Sequence, residues 1–88
     1  MTYEEFIEIF DTVDSNWDGD GVLQGALLIS KYIDMKTTNI IRGVSHGIIY
    51  SIDVTELIDA GITKEDVVKL CKLNWMVDSN YDCLACYV

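Results

Sequence analysis

Residues 38–53 read TNIIRGVSHGIIYSID, and this stretch decides the fold class. Two short runs rich in β-branched residues, Thr38 to Val44 and Ile48 to Asp53, stand on either side of Ser45-His46-Gly47. Strand-forming runs separated by a short turn that contains glycine are typical of a β-hairpin. We therefore predict a hairpin here, with His46 in its turn.

A second hairpin is predicted at the end of the chain. Trp75 to Asp78 and Asp82 to Val88 flank the polar run Ser79-Asn80-Tyr81. Together the two hairpins predict an antiparallel sheet of about four strands.

Helical patterns lie upstream of and between these strands. Thr2 and Glu5 have capping-box spacing, and the residues that follow place an apolar residue on one helical face every three or four positions. That face consists of Tyr3, Phe6, Ile7, Phe10 and Val13.

Further helical segments are predicted downstream. Val22 to about Met35 is apolar nearly all round, which predicts a helix buried on more than one side. Val54 to Ala60 predicts a helical turn, and Thr63 with Asp66 predicts the start of a third helix. The predicted class is α+β, one domain over residues 1–88, with two N-terminal helices and a third helix packed on the small sheet.

The charge is concentrated at one end. The 88 residues carry a net charge of −9, yet residues 1–20 contain no Lys or Arg and alone contribute −7. An acidic patch of this kind repels nucleic acid and anionic membranes and attracts basic proteins or cations. Its members are Glu4, Glu5, Glu8, Asp11, Asp14, Asp18 and Asp20.

The lack of a recognisable signal peptide and the number of cysteines predict a cytosolic protein. The N-terminus lacks the basic and apolar regions of a signal peptide, and the longest apolar run is Ala26 to Ile29. Three cysteines do not suit a paired disulfide framework, so we expect free thiols.

The acidic stretch after the first helix resembles part of an EF-hand loop. Counted from Asp14, the residues in the first half of the loop match the ligand and glycine positions of an EF-hand, but Gly25 stands where the closing Glu is required. Counted from Asn16, Leu27 stands there, so Ca²⁺ binding should be weak. The other interpretation is an interhelical loop whose Asp and Asn side chains cap the second helix. The ligands of the calcium alternative are Asp14, Asn16, Asp18 and Asp20.

The sequence matches other catalytic or metal-binding motifs less well than it matches the EF-hand loop. Cys71, Cys83 and Cys86 with His46 would form a Cys₃His zinc set. However, residues 83 and 86 lie an odd number of positions apart and would point to opposite faces of a strand. We find no complete catalytic motif and predict that the chain is not an enzyme, with no required cofactor.

Aromatic side chains stand in two polar segments. Trp17 lies in the acidic loop and Tyr81 in the second hairpin turn. Trp and Tyr are enriched in binding hot spots. Trp17 is therefore either a lid over the helices or an anchor beside the acidic patch.

The second half of the chain resembles small uncharacterised proteins encoded by bacteriophages. The motifs that carry this resemblance are Ser45-His46-Gly47-Ile48-Ile49-Tyr50, Gly61-Ile62-Thr63-Lys64-Glu65-Asp66, Leu73-Asn74-Trp75 and Asp82-Cys83-Leu84-Ala85-Cys86-Tyr87-Val88. The resemblance implies that the protein is encoded by a phage and acts in the cytosol of the host bacterium. Small acidic phage proteins often inhibit host defence systems, among them anti-CRISPR proteins whose carboxylates take the place of phosphates on a nuclease.

These observations lead to one hypothesis with two alternatives. The first is an inhibitor of a basic host protein, a nuclease or nucleic-acid-binding protein, that binds neither nucleic acid nor membrane. The alternatives are a degenerate calcium-binding module and a protein that sequesters a nucleotide signal through Lys31, Lys36, Arg42 and His46. A further hypothesis is a homodimer that forms through an exposed C-terminal edge strand. The partner-binding residues of the first hypothesis are Glu4, Glu5, Glu8, Asp11, Trp17, Asp18 and Asp20.

Overall fold

The computed structural model describes residues 1–14 and 20–87. In this part of the chain the helices are α1 (Tyr3–Thr12), α2 (Gly21–Ile29), α3 (Val54–Asp59) and α4 (Lys64–Lys72). The strands are β1 (Gly43–Ser45), β2 (Ile48–Asp53), β3 (Trp75–Asp78) and β4 (Cys83–Tyr87). The predicted α+β class and the antiparallel sheet of about four strands are confirmed.

The sheet has the order β1-β2-β4-β3, and all neighbours are antiparallel. The C-terminal strand β4 is therefore an interior strand, because it pairs with β2 on one side and β3 on the other. The expectation of an exposed C-terminal edge strand is wrong. The edges are β1 and β3.

The first hairpin closes through a two-residue turn. His46 and Gly47 have φ values of 53° and 76°, and left-handed conformations at both positions are typical of a type I′ turn. The predicted first strand is shorter than expected. Upstream of β1 the chain is held instead by the Ser51 hydroxyl, which donates to the Ile40 carbonyl at 2.6 Å.

Helix α2 is also shorter than predicted and is buried on one side only. It ends at Ile29, and the Lys31 amide donates to the Leu28 carbonyl in a tight turn. Leu23 and Leu27 are both 56% exposed, which corrects the expectation of burial on more than one side. The inward side carries the small residues Gly21 and Gly25 instead.

One hydrophobic core joins the helices to the sheet. Each helix contributes at least one fully or nearly buried side chain, and β4 contributes Leu84 and Cys86. The helical members include Phe6, Ile29, Leu57, Val67 and Leu70. None of the helices in the described part of the chain has the length and apolar character that a bilayer span requires.

Candidate interaction surface

Helix α1 presents a row of carboxylates on the side opposite the core. Phe6 is fully buried and stacks on Phe10, with ring centroids 5.6 Å apart. Glu4, Glu8 and Asp11 are exposed, and their spacing of four and three residues aligns them along one stripe of the helix. We call these three residues the acidic stripe.

Glu5 has a structural role in addition to its charge. Its carboxylate accepts the Thr2 amide at 3.0 Å and completes the predicted capping box, because Thr2 Oγ1 accepts the Glu5 amide at 3.2 Å. It also forms an ion pair with Lys64 Nζ at 2.8 Å. The Lys64 ammonium, followed by the Thr2 amide, lowers the pKa of Glu5 to about 2. This carboxylate is thus partly neutralised within the fold.

Two loop acids are described, and one of them caps a helix. Asp20 is the N-cap of α2, and its Oδ1 accepts the Leu23 amide at 3.1 Å. The interpretation of the loop as a capping segment is confirmed at this residue. Asp14 is exposed. The predicted site residues Asn16, Trp17 and Asp18 lie outside the described residues.

The geometry gives the zinc alternative no support, whereas Asn16 and Asp18 of the calcium alternative lie outside the described residues. Within residues 1–14 and 20–87, no group of three or more His, Cys, Asp or Glu side chains is arranged to hold a metal ion. Cys86 belongs to the core, whereas Cys83 lines a shallow depression with Tyr50 and Tyr81. His46 is exposed in its turn.

The cysteines are buried free thiols. Burial raises the pKa of Cys71, Cys83 and Cys86 above the ordinary value. A thiol with a raised pKa is protonated at neutral pH and is a weak nucleophile. Cys71 instead ties two helices together, since its Sγ donates to the Val13 carbonyl at 3.2 Å.

Most of the cations are held in ion pairs, and one of them, Lys64, lines a depression together with Glu5 and Glu8. Arg42 forms a bidentate pair with Glu56, at 2.9 and 2.7 Å. Lys31 lies 3.1 Å from Asp66, so two of the four cations of the nucleotide-binding alternative are already neutralised. Of the six Lys and Arg in the chain, the four in described ion pairs are Lys31, Arg42, Lys64 and Lys69.

A groove of about 490 Å³ runs between α1 and the edge strand β3. From the helix it is lined by Tyr3, Ile7, Phe10, Asp11 and Val13, and from the strand by residues 75–77. No sequence pattern predicts this groove. The apolar positions of α1 indicate one helical face but not what that face contacts, and nothing local in β3 identifies it as an edge strand.

Comparison with known proteins yields no significant match to a protein family, to a curated protein or to a solved structure.

Proposed function

We propose that this chain is a small acidic protein of phage type that binds and inhibits a basic host protein through α1 and the loop after it. The acidic stripe, Glu4, Glu8 and Asp11, provides the charge. Asp18 and Asp20 extend the charge into the loop, and Trp17 is the proposed anchor. In this proposal the protein acts in the cytosol of the host bacterium.

The observation that supports the proposal most directly is the segregation of charge on α1. One side of the helix is fixed in the core by Phe6, so the stripe on the other side is held rigidly towards solvent. No Lys or Arg occurs in residues 1–20 to compensate it. A rigid array of one sign steers a partner of the opposite sign and reduces the entropy lost on binding.

The class of partner follows from the sign and the size of the array. Nucleic acid and anionic membranes are repelled by it. The basic groove of a nuclease or of another nucleic-acid-binding protein is attracted, because carboxylates there replace phosphate contacts. The stripe occupies one short helix, which suits a local plug in such a groove and not a mimic of a long duplex.

The test is affinity capture from bacterial lysate with the tagged protein, eluted by rising NaCl. The charge-reversed variant Glu8→Lys with Asp11→Lys is compared with Asp59→Lys with Glu65→Lys. Both variants change the net charge equally, and all four positions are exposed. Only the first variant changes the acidic stripe.

We expect wild type and the Asp59/Glu65 variant to capture the same basic protein, released by salt. The Glu8/Asp11 variant should capture it at least about tenfold less well, because like charges then face each other. Equal capture by both variants would refute the role of the stripe. Activity of the captured protein, measured with and without excess of this chain, then tests inhibition.

A further inference from the structure

Strand β3 offers an unpaired backbone edge to the groove. It pairs with β4 on one side, and no further strand of the described chain pairs with it on the other. In an antiparallel ladder, alternate amide and carbonyl groups of an edge strand point away from its neighbour. Those groups are available to an added strand.

The wall opposite this edge is formed by α1, which runs beside β3 in the reverse direction. At one end the Tyr3 hydroxyl donates to Asp82, which precedes β4, at 2.7 Å. At the other end the Val13 carbonyl accepts from Cys71, close to the start of β3. Helix and strand are both about 13–15 Å long, so the groove fits about four residues of extended chain.

We propose that this groove binds an extended segment of a basic protein, which adds to the sheet as a fifth strand beside β3. The inference rests on the proposed function for the basic character of the partner. The position and the extended conformation follow from the edge strand and the groove.

Charge decides between a foreign segment and a second copy of this chain. The charged side chain that lines the groove is Asp11, and no Lys or Arg of the described residues lines it. A second copy that paired through its own β3 would bring two acidic helices together, each from a chain of net charge −9. A segment that contains Lys or Arg gains the attraction which a second copy lacks.

The geometry also specifies an alternating sequence. Side chains of an extended segment point to opposite faces in turn. One set contacts the apolar wall formed by Ile7, Phe10 and Val77. The alternate set projects towards Asp11, where Lys or Arg is favoured.

The experiment uses a capped hexapeptide in which lysine alternates with valine, titrated into the isotopically labelled full-length chain. A matched peptide carries N-methyl groups on alternate residues, so side chains and charge are kept while backbone pairing is blocked. A second control replaces lysine by glutamate. Chemical shifts give the affinity, and amide hydrogen exchange reports on β3.

We expect the lysine peptide to bind and to slow exchange at alternate amides of residues 75–78. N-methylation should weaken binding by at least about tenfold, because several backbone hydrogen bonds are lost. The glutamate peptide should not bind measurably. Asp11→Asn should weaken the lysine peptide more than Glu65→Gln, which removes the same charge far from the groove.

Two results would overturn the inference. One is absence of binding by the lysine peptide at millimolar concentration. The other is equal binding of the N-methylated peptide without protection of β3, with shifts confined to the acidic stripe. That second result would leave the proposed function intact. Conversely, equal capture of the basic protein by wild type and by the Glu8/Asp11 variant would refute the proposed function but not the inference about the groove.

Discussion

Trp75 of β3 packs closely against Gly25 of α2. The indole of Trp75 is 2% exposed, and its Nε1 donates to the Gly21 carbonyl at 2.8 Å. A Cβ placed on Gly25 would lie 2.0 Å from that nitrogen. The absence of a side chain at residue 25 is therefore what allows the ring to lie against α2.

We predict that Gly25→Ala destabilises the protein, although alanine is the better helix former. Overpacking a core costs about 1–3 kcal/mol, and the indole hydrogen bond is weakened as the ring moves. Urea unfolding measures the change. Gly43→Ala is the matched control, because a Cβ at residue 43 meets nothing within 4 Å. Equal stability of the two variants would contradict the packing argument.

Asp66 is a nearly buried carboxylate, 6% exposed, that accepts two hydrogen bonds and lies close to a further cation. The Tyr32 hydroxyl and Lys31 Nζ donate to Oδ2, and Lys69 Nζ lies 3.8 Å from Oδ1. The Tyr32 hydrogen bond, and after it Lys31, lower the pKa of Asp66 below its ordinary value of 3.8. The charged form is thus stabilised by folding.

We predict that Asp66→Asn destabilises the protein by about 1.5–3 kcal/mol at pH 7, the range for hydrogen bonds to charged groups. A lowered pKa contributes stability above 3.8 that is lost as the pH falls below it. The difference between variant and wild type should therefore shrink in acid. Urea unfolding at pH 7 and pH 3 measures it. A difference that is constant with pH would show that only shape matters at this site.

At the scale of elements, the start of α1 is fixed to α4 by one carboxylate. Glu5 closes the capping box of α1 and forms an ion pair with Lys64 of α4. One carboxylate therefore both marks the start of α1 and connects this helix to α4. The same carboxylate orients the acidic stripe, because it defines where the helix begins. This function is electrostatic and depends on pH.

We predict that Glu5→Gln lowers the thermal midpoint at pH 7 and has little effect at pH 2. The pKa of Glu5 is lowered from 4.5 to about 2, so its contribution is complete above 4.5 and is lost between these values. Calorimetry across this range tests the expectation. Glu4→Gln is the control, since Glu4 takes part in neither the capping box nor the ion pair. A similar pH dependence in both variants would refute it.

At the scale of the whole molecule, the net charge of −9 is spread unevenly over a small fold. Four cations are held in ion pairs with Glu5, Glu56 and Asp66, and within the described residues no member of the acidic stripe forms an ion pair. Repulsion among like charges opposes the folded state. Binding of a basic partner relieves that repulsion as well as adding contacts.

We predict that NaCl raises the thermal midpoint, because the Debye length falls from about 14 Å at 0.05 M to about 4 Å at 0.5 M. The surface ion pairs weaken as well, but such pairs contribute little. Glu8→Lys with Asp11→Lys should show a smaller gain, since its net charge is −5 where wild type has −9. A midpoint that falls with salt, or an undiminished gain in the variant, would contradict the argument.

The sequence by itself determined the order of the elements and several of their ends, although not those of α2 and β1. The capping box at Thr2 and Glu5, the cap at Thr63 and the turn at His46 and Gly47 each involve residues within a few positions of one another. Short-range hydrogen bonds and hydrophobic periodicity encode such features directly. The α+β class and the acidic stripe follow from the same local patterns.

Only the tertiary structure decided how these elements meet. Tyr32 and Asp66 are 34 positions apart, and Gly21 and Trp75 are 54 apart, so no local pattern predicts either contact. Strand order likewise depends on which surfaces the helices cover, and it places β4 inside the sheet and β3 at its edge. The groove beside β3 exists because helix α1 packs next to that edge. Its lining comes from two ends of the chain that meet only on folding.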